Sequence, residues 1–372
     1  MSTPLKAFQD APKTDPPGMR AARFHAARDI RIERIDAPSP DALAPRDVLV
    51  RVNACGICGT DLHEYTDGPI YVPIDPHPVT GISLPVTLGH EFSGVVEAVG
   101  TQVTTVEVGT PVAAMPQIFC GECSQCLAGR QQTCQNLAAV GYTGPWGGLA
   151  EYAILRDDQV FALPDGMSFE QGALVEPAAV AVHALTSAPL KPGDSIFITG
   201  GGPIGQLAAL AALAFGAGKV VLSEPNARRR TRAEHIRGIR VFDPSVAALD
   251  NLLEEVTGGH GFNVCLEASG KQRAIDACFD AVALGGTIVQ TAMGADGITV
   301  DASHKLTLRD VTYKGVYCYP VTSWPKVISL IASGKIPAEE IISSILPLER
   351  LTDAFEALLD PNADELKILI KI

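Results

Sequence analysis

The sequence holds no run of eighteen consecutive apolar residues, which excludes a membrane-spanning helix of ordinary length. It is also poor in charge. Asp, Glu, Lys and Arg make up 19% of its 372 residues, and the 29 Lys and Arg are outnumbered by 42 acids, for a formal net charge of -13. Nucleic-acid binders gather Lys and Arg on one face, and a surface of this sign would repel a phosphate backbone. Small molecules are therefore the expected partners, with no nucleic acid and no membrane. The opening stretch STPLKAFQDAPKTDPPG lacks a charged n-region and an apolar h-region. It reads as a flexible, Pro-rich arm over residues 1–18 of a protein of the reducing cytoplasm. Beyond this arm there is no internal repeat and no low-complexity tract.

Apolar residues, at 47%, suffice for two cores of ordinary size. The texture changes near Leu190. Before it, short runs such as Val48 to Val52, Gly94 to Val99 and Ala150 to Leu155 are split by Gly and Pro, a pattern of short strands and long loops. After it, strands expected at Ser195 to Thr199, Lys219 to Leu222, Arg240 to Phe242, Asn263 to Glu267 and Thr287 to Thr291 alternate with helices, clearest at Ile204 to Phe215 and Arg273 to Ala283. Such βα repetition predicts an α/β protein with a doubly wound parallel sheet over residues 190–318. The closing segment, helical at Ala354 to Leu359 and extended at Leu366 to Ile372, is expected to return to the first domain, which then comprises residues 19–189 and 319–372.

Four of the nine cysteines, Cys120, Cys123, Cys126 and Cys134, follow the spacing C-x2-C-x2-C-x7-C in a polar stretch with no apolar face. All four sulfurs can reach one tetrahedral zinc, which makes this a closed, structural metal site. Cys55, Cys58, Cys265, Cys278 and Cys318 are scattered and suit free thiols or ligands better than a disulfide framework.

The segment SIFITGGGPIGQLAALAAL sets Gly200, Gly202 and Gly205 as G-x-G-x-x-G between an apolar strand and an apolar helix, with Pro203 and Ile204 inside the turn. The three glycines allow the tight turn, the approach of a pyrophosphate to the backbone, and close helix–strand packing. The next strand ends in Glu224, where an acid hydrogen-bonds the adenosine ribose and repels a 2'-phosphate, so NAD is expected over NADP. Arg229, in the run Arg228 to Arg230, is the residue that could meet a phosphate, although such a run more often marks the solvated side of a helix.

Cys58, His90 and Glu176 offer a thiolate, an imidazole and a carboxylate, a set that leaves zinc an open position. Spacing does not choose among candidates: Cys55 and Cys58 form a bare C-x2-C, Glu91 adjoins His90, and Glu176 before Pro177 would also serve as a helix N-terminal acid.

Taken together, CGICGTDLHEY (Cys55 to Tyr65), LPVTLGHEFSG (Leu84 to Gly94), the cysteine quartet, GGLAEY (Gly147 to Tyr152), LVEPAAVAVHA (Leu174 to Ala184) and the glycine fingerprint resemble the zinc-dependent medium-chain dehydrogenases, in consistent order from Met19 to Ile372. The interval DGPIYVPIDPHPVTGIS is similar to the (R,R)-2,3-butanediol branch, with the sorbitol dehydrogenases close by. The resemblance implies a GroES-like catalytic β domain beside a Rossmann domain, two zinc ions per chain, NAD, and a homodimer or homotetramer paired through strands around Thr299 and Val311 to Val316. It assigns the catalytic zinc to Cys58, His90 and Glu176, with Glu91 as an alternate ligand and Cys55 as a bystander. It further implies that Thr60 touches the alcohol oxygen, that His63 passes the proton to solvent, and that Asp61 orients a ligand histidine. The implied reaction is hydride transfer between NAD and a secondary alcohol, the zinc acting as Lewis acid. Tyr142, Trp146 and Ile70 are the expected apolar wall of the substrate pocket.

Overall fold

The computed structural model describes residues 18–293 and 297–372, so the predicted N-terminal arm, apart from Gly18, lies outside the described residues. Two large sheets carry the structure. One is parallel throughout, with strands in the order Ile239–Phe242, Lys219–Ser223, Ser195–Thr199, Phe262–Glu267, Val282–Gln290 and Thr312–Gly315. Its central strand, SIFIT, is buried along its whole length, because a parallel sheet is covered by helices on both faces and selects continuous apolar runs.

The other large sheet has seven strands. Its path runs Val160–Ala162, Pro111–Ala114, Glu91–Val99, Asp47–Gly56, Lys367–Lys371 and Ile342–Pro347, with Tyr152–Arg156 also paired to Asp47–Gly56. The chain end therefore returns as predicted: Lys367–Lys371 lies antiparallel to Asp47–Gly56, with Ile370 opposite Cys55. A three-stranded sheet of Met19–Ala26, Asp29–Ile35 and Val86–Thr87 flanks it.

The helices Val175–Ser187, Pro203–Ala214 and Trp324–Ala332 share one alanine-rich core with the parallel sheet. Small side chains let these helices approach closely, and large residues such as Leu207 and Trp324 are fully buried, worth roughly 1.5–3 kcal/mol for an aliphatic side chain. Gly205 is required by this packing. A Cβ there would lie 1.8 Å from the Gly200 carbonyl oxygen.

Three expectations need correction. The helix predicted over Arg273 to Ala283 is Gln272–Ala281, and Val282 instead opens the strand Val282–Gln290, where it pairs with Phe262. The sequence pattern points only to Thr287 to Thr291 because Gly285 and Gly286 interrupt the β-branched run. Thr299 belongs to no strand; its amide and carbonyl are taken by the Gln272 side chain. The segment Thr312–Gly315 is indeed a strand and forms one edge of the parallel sheet.

Candidate active site

The quartet folds back on itself in one short lobe. Cys120, Cys123, Cys126 and Cys134 have sulfurs 3.5 Å (Cys120 to Cys134), 3.9 Å (Cys123 to Cys134) and 4.0 Å (Cys120 to Cys126) apart. Tetrahedral zinc with bonds of about 2.3 Å needs edges of about 3.8 Å, so the cradle has the size of the ion. Backbone amides point at the sulfurs, from Cys123 to Cys120 at 3.4 Å and from Asn136 to Cys134 at 3.3 Å. The amides of Gln135 and Cys126 lower the Cys123 thiol to about 6, which favours the thiolate a metal binds.

The second cluster forms where the strand Asp47–Gly56 runs out into the helix Gly59–Asp67 and meets the start of Glu91–Val99. Cys58, His90 and Glu91 bring one ligand atom each within 4.8 Å of the others. Asp61, fully buried, organises them: its Oδ2 accepts the Cys58 amide at 2.9 Å, its Oδ1 accepts the Tyr142 hydroxyl at 3.1 Å, and the same Oδ1 lies 3.7 Å from His90 Nδ1. That contact directs Nδ1 to the carboxylate and leaves Nε2 as the nitrogen for a metal. Tyr142 also packs on the His90 ring, centroids 4.8 Å apart.

Thr60 and His63, three apart on the helix and so on one face, both line the cleft beside this cluster, with Thr60 Oγ1 3.8 Å from Cys58 Sγ. The opposite face carries Asp61, Glu64 and Tyr65 into the core. Glu64 receives the amides of Ile70 at 2.9 Å and Val72 at 3.1 Å, together with that of Tyr71, and so moors the loop at the cleft mouth.

Glu176 stands outside the tight cluster but lines the same cleft, 8% exposed, and its Oε1 accepts the Tyr319 hydroxyl at 2.8 Å. Burial, with Glu91 nearby, raises its pKa to about 7. Glu91 is bound to the ammonium of Lys367, both side chains 1% exposed. Burial disfavours the His90 cation, yet Cys58 and Asp61 beside it outweigh burial and hold the imidazole pKa well above its ordinary value. Three buried carboxyls and a thiol thus crowd one place that draws positive charge from its surroundings. A divalent cation answers that imbalance, and thiolate, imidazole and carboxylate are zinc's donors.

The glycine loop opens onto the same cavity. Gly200 has φ of 98°, a conformation that L side chains rarely adopt, and Gly202 caps the helix Pro203–Ala214. Gly200, Gly202, Pro203, Ile204, Glu224 and Arg229 all line the cleft, while Gly205 acts behind it through packing. Glu224, at the end of the strand Lys219–Ser223, accepts the amide of Gly201 at 2.6 Å and that of Asn226 at 2.8 Å. Arg230 is spent on the Glu224 and Pro225 carbonyls and on Asp243, 2.5 Å away, whereas Arg229 reaches the cleft.

The expected substrate wall is only partly right. Tyr142 lines the cleft, but Ile70 is half exposed and turned from it, held by its amide to Glu64, and Trp146 packs beside Met19, Ala21 and Ala150. Cys55 is fully buried outside the ligand cluster, and burial pushes its thiol pKa well up. Sequence reading missed Lys367 and Tyr319. A lysine inside the apolar run KILIK was the available signal for the first, since a strand buried on both faces must partner any charge it carries; Tyr319 had none.

Residues 44–165 match the alcohol dehydrogenase GroES-like domain family, and residues 203–333 match the zinc-binding dehydrogenase family. The chain belongs to the zinc-binding alcohol dehydrogenases. It is 36% identical to the (R,R)-butanediol dehydrogenase of Bacillus subtilis (strain 168) over 95% of this chain and 99% of that one. It is 34% identical to the sorbitol dehydrogenase of the same organism over 96% of this chain and 98% of that one. A zinc-binding dehydrogenase of Sinorhizobium meliloti 1021, solved with NADP bound, superposes with a TM-score of 0.84 at 30% identity, covering 95% of this chain and 99% of that one. The protein is thus an oxidoreductase with a GroES-like domain and a Rossmann-type parallel sheet, acting on a small-molecule alcohol. Among the described residues, no helix is long and apolar enough to cross a membrane.

Proposed function

We propose that the protein is an NAD-dependent dehydrogenase of short vicinal diols, 2,3-butanediol and its hydroxyketone acetoin, with a structural and a catalytic zinc in each chain. The observation that carries this reading is a single cleft of about 1280 Å³ lined at once by the Cys58–His90 cluster and by the glycine loop with Glu224. Substrate carbon and nicotinamide can meet only where these two halves join.

In this reading Cys58, His90 and Glu176 hold the catalytic zinc. Glu91 is the alternate, its charge already divided with Lys367, whereas the hydrogen-bond partner of Glu176 is a neutral phenol. Zinc supplies Lewis acidity and NAD the hydride acceptor. Thr60 orients the substrate hydroxyl and takes its proton into a hydrogen bond, and His63, on the same helix face at the cleft, carries that proton toward solvent. Glu224 receives the adenosine ribose, and the carboxylate repels a 2'-phosphate. Arg229 favours NADP, but it is exposed rather than fixed against the ribose position.

The cations that line the cleft, Arg229, Lys271 and Arg273, come from the dinucleotide-binding half, and Lys367 is bound to Glu91, so an uncharged substrate suits the metal end. The edge strand Thr312–Gly315, with Leu308 74% exposed beside it, supports pairing of two chains into a homodimer or a homotetramer. Nine free cysteines suit the cytoplasm. Incubating the zinc-loaded protein with 2,3-butanediol and NAD tests the function: NADH formation that Cys58→Ser abolishes supports it, and no NADH with any short diol refutes it.

A further inference from the structure

The hydroxyl of Tyr319 meets the carboxylate of Glu176 at 2.8 Å at the wall of the cleft, Tyr319 being fully buried. The contact joins two parts of the molecule 143 residues apart. Tyr319 follows closely on Thr312–Gly315, the last strand of the parallel sheet, and Glu176 lies in the first turn of the helix Val175–Ser187.

The tyrosine is fixed at both ends. Its carbonyl oxygen accepts Gln117 Nε2 at 3.1 Å, and its ring stands edge-on to Trp324 with centroids 5.8 Å apart. The segment leading to it is pinned as well, since the Val316 amide donates to the Gln290 carbonyl at 3.0 Å. A ring held this firmly can hold a carboxylate in turn.

A phenol is also a particular kind of partner. Lys367 offsets the charge of Glu91, but a neutral hydroxyl brings no counter-charge to Glu176; it engages one oxygen and restrains rotation about the last torsion. Among the described residues the hydroxyl takes only Oε1, which leaves the other oxygen to face a metal. We propose that Tyr319 is a positioning residue of the metal site: its hydroxyl holds Glu176 in single-oxygen register for the metal and fastens that site to the dinucleotide-binding sheet. The inference rests on the reading in which Glu176 is a zinc ligand.

The test uses the full chain loaded with cobalt(II), whose visible bands report ligand geometry, with the Cys58→Ser difference spectrum assigning the bands of the catalytic site. Tyr319→Phe is expected to shift those bands and to speed chelator-driven metal release from that site by about ten- to a hundredfold, the usual effect of removing a ligand's hydrogen-bond partner. In a Glu176→Gln background the same substitution is expected to change release by no more than about twofold, because its route of action is gone. Bands and release rate at the wild-type values in Tyr319→Phe, or an undiminished effect in the Glu176→Gln background, overturn the proposal. Wild-type bands in Glu176→Gln itself overturn the ligand reading, and the proposal with it. Should Tyr319→Phe fail to fold, 3-fluorotyrosine incorporated at position 319 keeps the ring and alters the hydroxyl. Shifted bands then support the proposal, and unchanged bands overturn it.

Discussion

Lys367 and Glu91 form an ion pair in which each side chain is 1% exposed, and the ammonium also donates to the Ile57 carbonyl at 2.8 Å. Removing one member leaves a bare buried charge, which costs about 3–5 kcal/mol, whereas removing both can be nearly neutral. Lys367→Met is therefore expected to lower the melting temperature of the metal-free protein sharply. The double variant Glu91→Gln/Lys367→Met should recover most of the loss, as thermal unfolding of the wild type and the two variants would show.

The two metal sites make separate demands on the fold. Purified protein is expected to contain two zinc ions per chain, and Cys58→Ser to contain one, with turnover abolished and the folded state retained. Cys123→Ser should lose the other ion and destabilise the lobe, because a closed four-cysteine site contributes folding energy directly. Metal analysis alongside circular dichroism checks both. Full activity in Cys58→Ser with loss in Cys55→Ser would reverse the ligand choice.

Glu176 gives the metal-free protein a pH dependence of definite sign. Its carboxyl, raised by burial from 4.5 to about 7, binds its proton more tightly folded than unfolded. Its contribution is fully present below about pH 4.5 and is lost as pH rises through about 7, on the order of 3 kcal/mol in all. Unfolding of metal-free Glu176→Gln should lack this decline. In wild type, zinc uptake below pH 7 should release the proton.

Glu224 is the expected determinant of cofactor choice. Glu224→Ser removes the charge that repels a 2'-phosphate and leaves Arg229 at the cleft, so the ratio of kcat/KM for NAD over NADP should fall by tenfold or more, about 1.4 kcal/mol. The bonds from Gly201 and Asn226 to this carboxylate set a cost: the variant is expected to bind both cofactors somewhat less tightly. A wild-type protein that already prefers NADP would contradict the role given to Glu224.

Much of the architecture was legible because single residue types impose it. The βα alternation after Leu190, the glycine loop and the quartet are each written in consecutive residues, and the parallel sheet and the sulfur cradle appear where they were expected. The helix end at Ala281 and the start of Val282–Gln290 were less legible, since register against Phe262 decides them rather than local propensity. The buried partners were hardest. Glu91 meets Lys367 across 276 residues and Glu176 meets Tyr319 across 143, and no local pattern reports a contact made by folding. Ile70 and Trp146 were misplaced for the same reason: apolar character says that a residue packs, not against what.

The account stands most directly on the substrate. A vicinal diol of four carbons presents one oxygen to the metal and one to neighbouring polar groups, whereas a longer polyol buries further hydroxyls at about 1–3 kcal/mol for each left unpaired. The measurement is kcat/KM with NAD for 2,3-butanediol and for sorbitol on the zinc-loaded protein. A ratio of at least about tenfold in favour of 2,3-butanediol is predicted, the factor that 1.4 kcal/mol represents. Equal or faster turnover of sorbitol would contradict the assignment and place the chain among the polyol dehydrogenases.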